Sequence, residues 1–483
     1  MNKPDTILLS PQELAHVTNG YWENLPKDLN ITFVNFRTVG VKQGDLHISY
    51  NEENWNDRGS SENKLDKVFA QGAVAAVVRK KATISTTKPI LRVDDTKKAL
   101  KQIALATSEK SLATKVLVTG SFGKTGFKTQ LYHLIKDQKN TNAVLNSANK
   151  DVPIYRALAS IRKNDEIVIV EVAVPAPRRG QKRSSWINPN LCVITDIGLE
   201  HIKSHGGKIE NVIVNKSEVA ASLQKGGKFI IPQKGELTQK LKKSILKHGD
   251  FEILLFGEDN SCNAYIIKQE FNGFGWNITA QIESETIEYI LPLLEEYAPK
   301  NSLAVLLTAY HLGINLEKAV KNYNSYSQYG SSGNFYKLSG KSGSFYLYDQ
   351  SKRGEMDAFK STLRLIKMMK PKNNARKIVI LSEFTNLEEA DSSIINIDEF
   401  KELINEANID LLYTTHYFTE HINVLENKDI WKNHSFDINN IQKEIIDEIK
   451  KDDIVFIRGT LKSNLDSLVK KIIENNEIEK KYN

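Results

Sequence analysis

Short apolar runs alternate with amphipathic stretches along most of the chain, which is the pattern of an α/β protein. Near-continuous apolar runs at residues 116–118, 166–174, 191–195 and 229–232 predict buried parallel strands. Helical patterns follow the first run and recur at 209–223 and 301–312. We therefore predict an α/β fold built on a mostly parallel central sheet.

The elements group into three predicted domains: residues 1–112, 113–325 and 326–483. The first is a small α/β domain, with a strand at 31–36 and a helix from 96 onward capped by Asp94 or Asp95. The second carries the central sheet, and its alternation over 250–290 predicts appended antiparallel strands. A Ser-, Tyr- and Gly-rich stretch at 325–333 predicts a hinge. The βαβ pattern beyond it predicts a Rossmann-like domain with a short parallel sheet and a frayed end at 475–483.

Composition narrows the class of protein without fixing its function. The net charge of +7 comes from 66 basic and 59 acidic residues, so it suits anionic substrates as well as nucleic acid, and we expect no nucleic-acid partner. Two distant cysteines, Cys192 and Cys262, predict reduced thiols. The first residues lack the pattern of a signal peptide, and no apolar run approaches the ~20 residues that span a bilayer. We expect a cytoplasmic monomer with no membrane span.

A glycine loop follows the first apolar run and precedes a helix. Its residues are Gly120, Ser121, Phe122, Gly123, Lys124 and Thr125. In such a layout backbone N–H groups face a phosphate, Lys124 reaches the terminal phosphates, and the Thr125 hydroxyl can hold Mg²⁺. The strict motif needs glycine at position 118, where this chain has Val118. The alternative is an ordinary strand–helix turn with a surface lysine.

Further along the chain, three polar residues stand out as candidate metal ligands. Glu171 lies in an apolar strand, where a buried carboxylate is costly unless it is paired or metal-bound; the alternative is a solvent-facing strand end. His201 follows the 191–195 strand, at the sheet edge where α/β proteins bind ligands, although a single histidine is more often structural. By composition alone, Lys216 would be a solvated residue on its helix.

Several segments resemble the Mur ligase family, the ATP-dependent amide ligases of peptidoglycan synthesis, and most of all its D-alanyl-D-alanine-adding branch. The similar segments are VTGSFGKT at 118–125, ITDIGLEH at 194–201, NVIVNKSEV at 211–219, NSLAVLLTAYHLG at 301–313 and IVFIRGTLKSNLDSLV at 454–469. They occur in the family's order over nearly the whole chain. The family's loop is shorter than the strict motif, which accounts for Val118.

The resemblance implies ATP and Mg²⁺ as cofactors and assigns roles to the candidate residues. Lys124 would stabilise the transferring phosphoryl group, and Thr125 with Glu171 would hold a first Mg²⁺. His201 and Lys216, carbamylated by CO₂ in the family, would hold a second. Asn301 would contact the adenine and Asp349 the ribose.

The same resemblance implies a ligase that joins a small-molecule carboxylate to an amine through an acyl phosphate. The chain departs from the family at several places, among them Asn35 in the Asp-Ser-Arg sugar signature, Gly126 after the Lys-Thr pair, and Asn334 in place of an arginine. The altered first-domain signature predicts an acid other than the standard UDP-muramoyl tripeptide, whereas Gly126 and Asn334 motivate a non-catalytic alternative. The alternatives are a genuine D-alanyl-D-alanine peptidoglycan-precursor ligase with a divergent sugar site, and a non-catalytic nucleotide-binding relative.

Overall fold

A computed structural model describes residues 5–50, 60–145, 149–198, 202–327, 334–352, 356–371, 373, 375–383, 397–416 and 428–482. The chain forms two compact units. One consists of residues 1–265, 281–285 and 300–319, and the other of residues 266–280, 286–299 and 320–483. Among the described residues no helix is both long enough and apolar enough to cross a membrane.

The first sheet has five strands in the order β1-β5-β4-β3-β2. They are β1 (Tyr21–Glu23), β2 (Phe33–Asn35), β3 (Asp45–Ile48), β4 (Ala75–Arg79) and β5 (Ile90–Val93). Strands β2 to β5 pair in parallel, and β1 runs antiparallel to β5. The helices are α1 (Pro11–Thr18), α2 (Leu65–Ala70) and α3 (Thr96–Lys110). Of the two candidate caps, Asp95 begins α3, because its carboxylate accepts hydrogen bonds from the backbone N–H groups of Lys97 and Lys98.

The second sheet has nine strands in the order β14-β13-β12-β11-β10-β9-β6-β8-β7. They are β6 (Thr114–Thr119), β7 (Thr141–Ala143), β8 (Ile167–Glu171), β9 (Leu191–Ile194), β10 (Lys228–Pro232), β11 (Glu252–Gly257), β12 (Ala264–Phe271), β13 (Trp276–Ile282) and β14 (Glu285–Leu291). Its helices are α4 (Lys124–Ile135), α5 (Asp151–Ala159), α6 (Arg179–Ile187), α7 (Ile209–Ser217), α8 (Glu236–Ile245), α9 (Ala298–His311) and α10 (Leu316–Lys321).

The predicted parallel core of this sheet is confirmed, whereas the prediction of antiparallel strands from residue 250 is wrong for β11. Strand β11 pairs in parallel with both β10 and β12. Parallel neighbours need a crossover connection, and α8 supplies it between β10 and β11. The alternating pattern revealed the strand but carried no information about its direction.

The third sheet has seven strands in the order β19-β18-β17-β20-β16-β15-β21. They are β15 (Asn334–Gly340), β16 (Gly343–Gln350), β17 (Lys377–Leu381), β18 (Leu411–Thr415), β19 (Trp431–Ser435), β20 (Ile454–Arg458) and β21 (Glu477–Lys481). Its helices are α11 (Met356–Met368), α12 (Ile397–Glu406), α13 (Gln442–Glu448) and α14 (Leu465–Glu474). Strands β16 to β20 pair in parallel, so the Rossmann-like alternation is present.

The predicted fraying of the chain end is wrong, because β21 forms an edge strand antiparallel to β15. All five of its side chains are exposed, which explains why the sequence lacks a strand signal there. Backbone pairing with β15 and contacts between surface side chains, such as the Glu479–Lys337 ion pair, hold this strand in place.

Each sheet lies inside one of the three predicted domains, and the boundaries 1–112, 113–325 and 326–483 stay a prediction. The first sheet and strands β6 to β11 of the second belong to one compact unit, whereas most of β12, β13 and β14 belongs to the other. A single apolar core joins the parts within the first unit, because it contains Leu46 and Val77 of the first sheet and Leu117 and Ile194 of the second. Most of the predicted hinge at 325–333 lies outside the described residues.

Candidate active site

The glycine loop joins β6 to α4 and bends through two glycines with positive φ. Gly120 has φ +153° and Gly123 has φ +81°. A Cβ at Gly120 would collide with the Thr195 hydroxyl, and one at Gly123 would lie 2.6 Å from Asn301 Nδ2. Only glycine fits both the backbone conformation and the space at these positions. The loop is therefore tightly fixed against β9 and α9.

Lys124 is the first residue of α4, and its side chain folds over the loop. Its Nζ donates hydrogen bonds to the carbonyl oxygens of Gly120 at 2.8 Å and Ser121 at 3.0 Å. The ammonium group is thus held at the mouth of the loop, beside the start of the helix. This is where an anion receives both backbone N–H groups and the positive end of the helix dipole.

Thr125, the residue after Lys124, contacts Glu171 at the end of β8. The Thr125 hydroxyl lies 3.0 Å from each carboxylate oxygen of Glu171, although 46 residues separate the two in the sequence. Glu171 ends β8 and is only 2% exposed, so it is not a solvent-facing strand end. A hydroxyl and a carboxylate are hard oxygen donors of the kind that Mg²⁺ prefers.

The sequence analysis missed the partner that neutralises Glu171. Lys128 Nζ lies 2.7 Å from one oxygen of that carboxylate, and both side chains are 1% exposed. Asn149 Nδ2 donates to the other oxygen at 3.0 Å. Burial lowers the pKa of Lys128, and the nearby Glu171 carboxylate opposes this shift. Lys128 stands three residues after Thr125, on the same face of α4, and that spacing is the signal that could have revealed it.

The end of β9 forms the other side of the loop. Ser121 Oγ accepts a hydrogen bond from the N–H of Gly198 at 2.9 Å, and Thr195 donates to the carbonyl of Phe122. Next to them Asp196 forms an ion pair with Lys234, a residue just beyond β10. The carboxyl ends of β6, β8, β9 and β10 thus supply polar groups to one edge of the sheet, as expected for a ligand site in an α/β protein.

The remaining predicted residues are placed as follows. Asn301 lies on α9 against Gly123, and Lys216 lies on α7, where it is 5% exposed. Its burial contradicts the alternative of a solvated lysine. His201 lies outside the described residues, and its ligand role is untested. Asp349 belongs to the other compact unit.

The surroundings of Asp349 can be described within its own unit. It lies on β16 opposite Asn334 of β15, and both are buried. Its Oδ1 accepts a hydrogen bond from the N–H of Ser351 at 3.0 Å, while burial raises the pKa of the carboxyl. A ribose contact by Asp349 stays a prediction.

Comparison with known proteins bears on the whole arrangement. Residues 118–309, from the last two residues of β6 through most of α9, match the Mur ligase middle domain. This part of the chain is similar to the Mur ligase family. The stretch contains the glycine loop, Glu171 and Lys216, so the resemblance inferred from the motifs is confirmed.

Two relatives of this chain carry the name UDP-N-acetylmuramoyl-tripeptide--D-alanyl-D-alanine ligase. The protein from Rickettsia prowazekii is 26% identical over 62% of this chain and 65% of its own length. The protein from Haemophilus influenzae is 28% identical over 52% of this chain and 54% of its own length. The chain therefore matches between about half and two thirds of the length of these curated relatives.

Solved Mur ligase structures share the fold along nearly the whole chain. MurF from Acinetobacter baumannii superimposes with a TM-score of 0.75 at 20% identity, covering 98% of this chain and 99% of that one. MurF ligase from Thermotoga maritima, solved in complex with ADP, gives a TM-score of 0.69 at 17% identity, covering 93% and 99%. The predicted α/β fold class, with its three sheets, is confirmed.

Proposed function

We propose that this protein is an ATP-dependent carboxylate–amine ligase that forms an amide bond through an acyl phosphate. The observation that carries the proposal is the meeting of the Thr125 hydroxyl with the buried Glu171 carboxylate beside Lys124. The match to the Mur ligase middle domain supports it. In an ordinary strand–helix turn a buried carboxylate at this position would only cost free energy.

In the proposed reaction the acid attacks the γ-phosphate of ATP, and ADP leaves. The amine then attacks the acyl carbon, and phosphate leaves. When bound, Mg²⁺ neutralises charge on the phosphates. The loop amides and Lys124 would orient the phosphates and stabilise the charge on the transferring group, while Thr125 and Glu171 would hold the metal. Phosphoryl transfer depends mainly on such positioning and charge neutralisation.

The second metal site and the nucleoside contacts are part of the proposal. His201 and a carbamylated Lys216 would hold a second Mg²⁺, Asn301 would contact the adenine, and Asp349 the ribose. A carbamate gives lysine a carboxylate head, which is why it could bind a metal. Its formation from ¹³CO₂ gives a carbonyl signal in ¹³C NMR spectra, which Lys216→Met should lack.

For the acid, we propose a carboxylate other than the standard UDP-muramoyl tripeptide. Asn35 stands where the family signature has aspartate, and it is buried with its Nδ2 3.0 Å from Asp45 Oδ2. Its Oδ1 accepts the N–H of Arg37 at 3.0 Å. Asn35 is therefore committed to bonds within the first sheet, and of this signature Arg37 alone is retained.

The test is ADP release by the pure protein with ATP, Mg²⁺ and pools of candidate acids and amines, followed by mass spectrometry for a new amide. ADP release that needs both substrates supports a ligase. Lys124→Met should abolish it, whereas Lys136→Met, on the exposed end of the same helix, should not. Absence of ADP release together with absence of ATP binding by calorimetry would exclude the proposal.

Two alternatives have separate tests. The names of the curated relatives favour a genuine D-alanyl-D-alanine ligase, and complementation of a conditional mutant lacking that enzyme would establish it. The departures at Gly126 and Asn334 favour a non-catalytic nucleotide-binding relative, which would bind MgADP but release no ADP with any substrate. The monomeric state stays a prediction, which light scattering would check.

A further inference from the structure

Arg156 is a buried arginine outside the loop that binds the nucleotide in the proposed function. It lies on α5 and is 6% exposed. Its Cζ lies 5.3 Å from the centroid of the Phe36 ring and 6.0 Å from that of Phe33, so its guanidinium group is in cation–π contact with the first sheet. Both phenylalanines lie on or next to β2, just before Arg37.

Among the residues that the structure describes, no acidic side chain forms an ion pair with Arg156. Its Nε is buried and makes no hydrogen bond within that part of the chain. Asp45 acts on Arg156 through its charge, but its carboxylate accepts hydrogen bonds from Asn35 and from the N–H of Lys42. A buried charge without a partner is strongly unfavourable, so a ligand that supplies the partner would explain its retention.

Other cations also act on this position, besides the Asp45 carboxylate. Burial, together with the charge of Arg37, lowers the pKa of Arg156 to about 10, and the Asp45 carboxylate opposes this shift. The charge of Arg156 also contributes to the lowered pKa of Lys128, which arises mainly from burial. The helix that carries Arg156, α5, packs against β2 of the first sheet and against β8, the strand that ends at Glu171.

We infer that Arg156 is an anion-binding residue that holds a carboxylate or phosphate group of the acid substrate between the first sheet and the metal-binding carboxylate. The inference rests on the proposed function for the identity of the ligand, but the anion site itself can be tested without it. Guanidinium groups bind carboxylates and phosphates through paired hydrogen bonds, and the buried Nε offers one of the two donors. The substrate class is then an acid with a second anionic group.

The alternative is that Arg156 only fills space between the phenylalanine rings. The two readings predict opposite effects of Arg156→Met, which keeps the volume and removes the charge. If Arg156 is an anion-binding residue, its charge is unpaired in the ligand-free protein. Methionine then removes an uncompensated buried charge, so the ligand-free protein keeps or gains stability. If the arginine is structural, stability falls.

A matched control is available on the neighbouring helix. Arg183 on α6 is 5% exposed, but its guanidinium is paired with Asp151 at 2.7 Å and donates to the carbonyl of Ala173. Arg183→Met should lower the melting temperature and leave anion binding unchanged.

The experiment measures thermal unfolding of the full-length protein with increasing succinate or inorganic diphosphate, at ionic strength held constant with NaCl. We expect at least one probe to stabilise the wild type and its apparent Kd to rise at least tenfold in Arg156→Met. A response to succinate alone indicates a carboxylate subsite, and a response to diphosphate alone a phosphate subsite. Measuring diphosphate in Lys124→Met removes binding at the glycine loop.

The inference is overturned if neither probe stabilises the wild type, or if Arg156→Met loses stability like Arg183→Met and binds the probes unchanged. Should Arg156→Met fail to fold, Arg156→Lys serves as the second variant. It keeps the positive charge but lacks the paired donors of the guanidinium group, so it should still weaken binding several-fold. Failure of the proposed function would appear separately, as absence of MgADP binding and ADP release with the probe responses intact.

Discussion

At the residue scale, the buried carboxylate of Glu171 is stabilised by three polar neighbours. Its carboxylate is shared by the Thr125 hydroxyl, the Asn149 amide and the Lys128 ammonium group. Together these groups satisfy the carboxylate where water cannot reach it. A metal that binds Thr125 and Glu171 must share the carboxylate with Lys128, so the lysine sets the net charge that the metal meets.

Replacing Lys128 tests this arrangement. Lys128→Met should lower the free energy of unfolding by about 3–5 kcal/mol, because it leaves the Glu171 charge buried and unpaired. The double variant Lys128→Met/Glu171→Gln should lose less, since the charge is gone. Added Mg²⁺ should restore stability to the single variant but not to the double one. Denaturant titrations with and without Mg²⁺ measure both effects, and equal losses in the two variants would contradict the pairing.

A second residue makes stability depend on pH. His47 on β3 is fully buried, with its Nε2 3.3 Å from Ser61 Oγ, and burial lowers its pKa from 6.5 to about 4. The unfolded chain therefore takes up a proton at higher pH than the folded one. The stability due to neutral His47 is complete above pH 6.5 and is lost as the pH falls towards 4.

We expect the free energy of unfolding to fall by roughly 2 kcal/mol through this histidine between about pH 7 and pH 4.5. His47→Gln, which stays neutral, should show a correspondingly smaller loss. Urea titrations at both pH values provide the measurement. An identical pH dependence in wild type and variant would show that His47 does not titrate as the burial predicts.

At the element scale, the β6–α4 turn is built by close approach of three elements rather than by the loop alone. Gly123 caps α4 with a left-handed backbone and faces the Asn301 amide of α9. Gly226 also has a positive φ, of +76°, but nothing lies within 4 Å of its would-be Cβ. The two glycines therefore separate the effect of backbone conformation from that of space.

Alanine at each glycine should give different results. Gly226→Ala should cost about 1 kcal/mol, the strain of a positive φ alone. Gly123→Ala should cost more, because the methyl group displaces Asn301, and should also weaken MgADP binding at least tenfold. Denaturation and calorimetry on both variants measure this. Equal effects at the two positions would mean that the contact with α9 does not constrain the loop.

At the scale of the whole molecule, the loop and its partners all belong to one of the two compact units, although they come from widely separated parts of the chain. Thr119, Glu171, Thr195 and Asn301 span the second predicted domain. Nucleotide binding should therefore stabilise the fold as well as prepare the chemistry, because only the folded chain assembles these groups.

At a MgADP concentration of 100 times Kd, the free energy of unfolding should rise by about 2.7 kcal/mol. Lys124→Met should show little of this gain, and Lys136→Met the full gain. Thermal unfolding across a MgADP series checks it. A wild type whose Tm does not respond to MgADP would remove the nucleotide site from the proposed function.

The sequence by itself determined the features that depend on local order. The period of apolar residues predicted the buried strands β6, β8, β9 and β10, and the glycine loop was recognisable because its backbone conformation needs particular residues. The anomaly of Glu171 was also visible, since a carboxylate in an apolar strand must have a reason.

Tertiary structure alone decided the partners. Lys128 and Glu171 are 43 residues apart, and β11 takes its direction from a crossover helix. Strand β21 pairs with β15, a strand more than a hundred residues earlier in the chain. Arg156 likewise reads as an ordinary helix residue until the fold places it against Phe36. Burial and pairing depend on which distant segments meet. A local pattern of apolar residues shows only which face of a helix or strand will be buried.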